Sequence, residues 1–299
     1  MINFLLGYGV RSYPVFFTHS PRYQMKFLVL AGLTACGLSL AAQSSEALAV
    51  EAEGRALYAA EMASWYGTDL FMEKYPDRTQ LGGYFSYASG SQTLCLFYSN
   101  ALMPRVLGTV AFDSTFDTRT AVLDFTSRDF SDLEQDLYEI RSRALDEMNR
   151  ETLYKTYQNT NPNLIPLIRG DVRKVYILTA PTQHGVVIFG NDYLLTFDAN
   201  NQLVHSTALH QDLIAVRFDP DNAEEVLSFH THAANTSELI TATDICTLML
   251  YSRFTQWKQH SVVSKKYISI WNCQTQDLVV LTHKALKRIQ KHQQQHQQD

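Results

Sequence analysis

Apolar positions recur at helical spacing from Val50 to about Lys74, with Tyr58, Met62 and Trp65 on one stripe, and the pattern stops at Tyr75-Pro76. Proline disfavours helical backbone at the residue before it, so a long helix is predicted to end there. The texture then changes to short apolar runs, "GGYFSYAS", "QTLCLFYSN" and "RVLGTVAFD", divided by Gly, Ser and Pro. These read as three strands. Ser131 with Glu134 forms a capping-box pattern, and Leu133, Leu137, Ile140, Ala144 and Met148 share a face out to about Tyr154, predicting a second helix.

The stretch "QNTNPNLIPLIRGD" combines two prolines, a glycine and several amides and acids, the composition of a domain boundary. Beyond it come closely spaced strand patterns, "RKVYILTAP", "HGVVIFG", "DYLLTFDANNQLVHSTAL" and "DLIAVRF", with "DANN" as the hairpin turn. A histidine-bearing segment, a helix from about Thr243 to Gln259, the strand pair "YISIWN" and "DLVVL", and a last helix complete the chain. The expected organisation is a mixed α/β (α+β) protein: an α+β domain over 50–168, a mixed sheet flanked by helices over 169–289, and a disordered Gln/His tail over 290–299.

The 299 residues suffice for two such domains, and 45% hydrophobic with 18% charged residues is ordinary globular composition. The formal charge of -5 offers no general footing for nucleic acid, and none is expected as a partner. Near the start, Met25-Lys26 precedes the uncharged run 27–42, which ends in small residues and has the shape of a signal peptide. Export to the periplasm or medium is therefore expected, with 1–24 as an upstream extension and 25–49 as the signal region. Cleavage near Ala41, Ala42 or Ala49 is one route. The other is lipidation at Cys36, since "LTACG" resembles a bacterial lipobox, and this lipid anchor would be the chain's membrane attachment. Cys95, Cys246 and Cys273 are odd in number and have no framework spacing, so no disulfide framework is expected, and Cys246 and Cys273, inside apolar runs, read as small buried hydrophobes.

Candidate chemistry concentrates in "SFHTHAANTSELITATDIC". Residues i and i+2 of a strand point to one face, so His230 and His232 can present both imidazoles to one point. Thr241 offers an N-cap hydroxyl, which places Asp244 in the first helical turn, where the helix dipole favours a carboxylate. Two imidazoles and one carboxylate form a zinc set with a fourth position open to water. "HSTALHQD" supplies Ser206, His210 and Asp212, but no nucleophile-elbow glycines surround that serine.

The segment resembles the signature of the JAB/MPN metallopeptidases, also called JAMM proteins: His-x-His-Pro, seven residues, Ser, two residues, Asp. Ala233 stands for the proline and Thr241 for the serine, and the resemblance covers roughly 173–281. It implies Zn2+ held by His230, His232 and Asp244, Thr241 helping to stabilise an oxyanion, and a peptide or protein substrate cleaved at a peptide or isopeptide bond. The family's general base is a glutamate three residues before a glycine on an early strand. Here that position holds Thr182. The substitutes considered are His184, Glu238, Glu224, Glu225 and Glu61. The opposing expectation is a catalytically inactive binding or scaffold protein that keeps the fold.

Overall fold

The computed structural model describes residues 12–13, 44–75, 77–218, 227–233 and 236–296. The expected upstream extension 1–24 apart from residues 12–13, the part 25–43 of the expected signal region 25–49 with Cys36, the pair Glu224 and Glu225, and residues 297–299 lie outside them. Ser12–Tyr13 forms a two-residue strand, β1, paired in parallel with Thr156–Tyr157.

Helix α1 (Ser45–Lys74) begins a turn before its apolar stripe suggests. Ser44 is the cause: its side chain accepts the Ala47 amide at 3.2 Å, and Glu46 sits in the positively polarised first turn. The helix ends where Tyr75-Pro76 requires. Against one side of it lies an antiparallel meander of β2 (Leu81–Ser89), β3 (Gln92–Ser99), β4 (Val106–Phe112) and β5 (Val122–Asp124), in that order. The first three match their sequence patterns; β5 is too short and half polar to announce itself.

Helix α2 (Asp132–Arg150) starts on the expected capping box. The Glu134 amide donates to Ser131 Oγ at 3.4 Å, and the Ser131 amide to Glu134 Oε2 at 2.8 Å. The same carboxylate accepts from both Arg128 Nη atoms and the Tyr87 hydroxyl at 2.6–2.7 Å, tying the helix start to β2. It stops at Arg150, four residues short of expectation, because Glu151 is already extended.

The stretch expected to be a domain boundary is instead a strand. After β6 (Thr156–Tyr157), β7 (Thr160–Arg169) pairs along its whole length with β8 (Val172–Pro181). Prolines 162 and 166 are tolerated because β7 is the edge of a sheet ordered β11-β10-β8-β7, where missing amides cost no ladder bond. Leu57, Phe97, Ile165, Leu178, Cys246 and Leu250 share one apolar cluster, so the core continues across residue 168. Strands β10 (Tyr193–Phe197) and β11 (Leu203–Ala208) form a hairpin over the DANN turn, where Asp198 Oδ1 accepts the Asn200 and Gln202 amides. β9 (Val186–Gly190) pairs with β12 (Leu213–Arg217).

The last sheet is mixed: β13 (Leu227–Thr231), β14 (Gln259–Val263), β15 (Tyr267–Asn272) and β16 (Asp277–Thr282), with β13 and β14 parallel and the others antiparallel. Helix α3 (Ala242–Thr255) makes the crossover between β13 and β14. It ends four residues before the expected Gln259: Gln256 turns left-handed (φ 52°), and Gln259 begins β14. α3 packs on α1 so closely that a Cβ on Gly54 would stand 2.7 Å from Ile245. Helix α4 (His283–His296) extends through most of the tail that composition leaves unstructured. Among the described residues no helix is long and apolar enough to cross a membrane, and Cys95, Cys246 and Cys273 are buried free thiols.

Candidate metal centre

On β13, Ser228 and His230 face inward while Phe229 faces out, following the two-residue alternation of a strand. His232 continues the ladder, its amide donating to the Val263 carbonyl at 2.9 Å. Thr241 then caps α3, and its capping box includes Asp244: the Asp244 amide donates to Thr241 Oγ1 at 3.0 Å, and the Thr241 amide to Asp244 Oδ2 at 2.9 Å. The Thr241 hydroxyl also donates to that oxygen, at 2.8 Å. Oδ2 is thus fully engaged by the cap. Oδ1, also buried, has no hydrogen-bond partner.

Three imidazole nitrogens surround that carboxylate. His230 Nε2 and His232 Nε2 stand 3.2 Å apart, and His210 Nε2 is 3.3 Å from His232 Nε2. From Asp244 Oδ1 the distances are 3.4 Å to His210 Nε2 and 3.6 Å to His230 Nε2, while His232 Nε2 is 3.4 Å from Oδ2. His210, His230, His232 and Asp244 could hold a metal ion. The side chains are closed off from solvent, with His210 the most exposed at 9%.

The fourth residue comes from the loop between β11 and β12. Leu209 is anchored there by its amide to the Asp192 carbonyl at 2.8 Å, and the Asn191 amide bonds the Asp212 carbonyl at 3.2 Å. Gly190 (φ +81°) makes this approach possible, since a Cβ there would lie 2.2 Å from the Asp212 carbonyl oxygen.

His230 and His232 are held from behind through Nδ1, whereas His210 Nδ1 has a nearby carboxylate but no hydrogen-bond partner. His232 Nδ1 lies 2.9 Å from the Ser237 carbonyl, His230 Nδ1 lies 2.9 Å from His260 Nε2, and His210 Nδ1 lies 3.6 Å from Asp192 Oδ2. An imidazole that donates through Nδ1 keeps its Nε2 lone pair free, so His230 and His232 can turn ligating nitrogens to one place, and His210 Nε2 meets them there.

The electrostatics favour positive charge there. Burial pushes the Asp244 carboxyl up, yet His210 and His230 outweigh it and hold it well below its ordinary range. Burial opposes charge on His210, but Asp244 and Asp192 raise its imidazole to about 10. His230, where burial dominates, falls to about 4. With no cation, a proton on His210 balances Asp244; a metal ion would supply that charge instead.

The structure therefore brings together His230, His232 and Asp244 and adds His210 as a fourth residue that could hold a metal ion. His184 is not brought in. It is exposed in the turn before β9, whereas Asp192 and the cluster lie beyond the other end of that strand. Thr182 is half-buried, its amide bonded to the Asn159 carbonyl. Glu238 accepts the Lys266 amide at 3.0 Å, and Glu61 accepts from Asn163 Nδ2. Thr241 touches the ligand Asp244 directly, as a positioning group. Sequence reasoning met His210 only as part of a serine-hydrolase pattern and passed over Asp192 and His260. The available signal was His210 just past a strand end, beside an acid-bearing loop. Against protein-family models, curated proteins and solved structures, the chain has no match.

Proposed function

We propose that this is an exported zinc-binding protein of JAB/MPN-like character whose metal centre, closed by four side chains, clamps the β11–β12 loop, β13 and the start of α3 together. The observation that carries this reading is the convergence of three Nε2 atoms and the unpartnered Asp244 Oδ1, with separations of 3.2–3.6 Å for four of the pairs and the ligand atoms of the four residues all within 4.8 Å of one another. Zinc with ligands at about 2.0–2.1 Å in a tetrahedron needs such atoms about 3.3–3.4 Å apart, and nitrogen-rich sets with one carboxylate suit it. Four protein ligands around zinc mark a site that supplies folding energy; three leave room for chemistry. The closed set thus favours a binding or scaffold protein over a hydrolase.

One observation keeps a second reading, a peptide or isopeptide hydrolase acting on a protein substrate. Asp192 places a buried carboxylate 3.6 Å from His210 Nδ1, so if His210 withdrew, an acid would stand beside the centre although Thr182 occupies the family's glutamate position. Zinc would then serve as a Lewis acid toward a carbonyl.

Elemental analysis of purified protein should find about one zinc per chain. His232→Ala should lose it, and His210→Ala should retain it more weakly. Equal zinc content in wild type and His232→Ala would refute the assignment. Zinc-dependent cleavage of a peptide panel by His210→Ala, absent from wild type, would favour the hydrolase.

A further inference from the structure

Behind His230 lies a buried hydrogen-bond chain that the ligand set does not include. His230 Nδ1 is 2.9 Å from His260 Nε2, and His260 Nδ1 is 2.7 Å from Ser228 Oγ. Strand pairing builds it: β13 and β14 run parallel with Ser228 opposite His260, so alternation puts Ser228, His230 and His260 on the same inner face. His260 is 2% exposed, and the Phe189 ring stacks on it at 4.9 Å and 18°, with Trp257 at 6.0 Å. Its ring plane is fixed by packing, and both of its nitrogens are committed.

We infer that His260 is a positioning residue that orients His230 and fixes its tautomer for metal binding, with Ser228 fixing the tautomer of His260 in turn. This rests on the zinc reading above. If His230 gives its Nε2 lone pair to a cation, its proton must sit on Nδ1 and be donated backward. His260 can accept only through an unprotonated Nε2, so its own proton is on Nδ1 and is donated to Ser228 Oγ. The direction of the whole chain follows from one ligation. A neutral imidazole as acceptor also adds no negative charge behind His230, whereas Asp192 behind His210 does. The two ligands are therefore tuned differently: His210 is the more electron-rich donor and His230 the more rigidly aimed one.

The test uses the full chain loaded with zinc and a competing chelator. Loss of such an outer partner typically weakens metal binding 10–100-fold, and His260→Leu should do so by roughly that factor. His260→Gln, whose side-chain oxygen can reach the Nε2 position, should recover most of the affinity, and Ser228→Ala should show a smaller loss. The 15N spectrum of the zinc-loaded wild type should show His260 protonated at Nδ1 and bare at Nε2, a signature that space-filling alone does not set. Unchanged affinity in His260→Leu, or the opposite tautomer of His260, overturns the inference while leaving the zinc site intact. If His260→Leu does not fold, a folded His260→Gln that binds no more tightly than His232→Ala overturns it equally. Absence of zinc binding by the wild type removes the metal reading itself, and this inference with it.

Discussion

Glu61 shows at the residue scale what burial does to a carboxyl outside the metal cluster. It lies on α1 with Asn163 Nδ2 bonded to Oε1, and burial, only partly offset by that bond, raises it to about 7. A carboxyl raised in the folded state binds a proton that the unfolded chain has already released between its ordinary value near 4.3 and about 7. Its contribution to stability is therefore present below that window and is lost as pH rises through it. Glu61→Gln should remove this loss. Discounted for partial exposure, the gain should be about 1–2 kcal/mol at pH 8 and near zero at pH 4. Urea unfolding of both proteins at the two pH values measures it, and a constant difference between them would contradict the assignment. At this scale the sequence was informative about chemistry and silent about environment. His230, His232 and Asp244 were legible because strand alternation and helix capping act within a few residues, whereas the state of Glu61 depends on Asn163, 102 positions away.

Elements were most legible where their signals were local. The Ser131–Glu134 capping box formed as its spacing required, and the DANN turn closed its hairpin on Asp198. β14 was not anticipated, apart from Gln259 being placed at the helix end, because its inward residues, His260 and Val262, become a strand through pairing with β13 and β15. The α1–α3 contact gives the prediction at this level. In a helix interior, Gly→Ala ordinarily stabilises by about 0.5–1 kcal/mol. At Gly54 the new Cβ would meet Ile245 Cβ and Cγ2 at 2.7 Å and the Ala242 carbonyl at 3.0 Å. The fully buried Ile245 has no room to yield, so Gly54→Ala should destabilise by about 1–3 kcal/mol. Since α3 carries Asp244, zinc affinity should fall as well. A stabilised variant in thermal unfolding would show that the helices separate freely.

For the whole molecule, the centre joins three segments whose order in the chain is a loop, a strand and a helix start. An ion that binds only the folded state stabilises it by about 4 kcal/mol when present at a thousandfold its dissociation constant. For a chain of this size that corresponds to roughly 10 °C in Tm. Chelation should lower Tm by about this much, with recovery on adding zinc, as followed by circular dichroism. A Tm indifferent to chelator would mean that the four side chains stabilise the fold without an ion.

The sequence by itself determined the mixed α+β character, most element positions, and three of the four side chains that gather at the candidate metal site, because periodicity, capping and turn chemistry operate over a few positions. Only the tertiary structure decided that His210 joins the other three. His210 lies 22 residues before His232, and His260 lies 30 after His230. No local period links residues so far apart: their meeting depends on strand register and on the close approach of the β9 end to the β11–β12 loop. For the same reason the proline-bearing strand β7 looked like a linker, since only its place at a sheet edge makes its missing amides harmless.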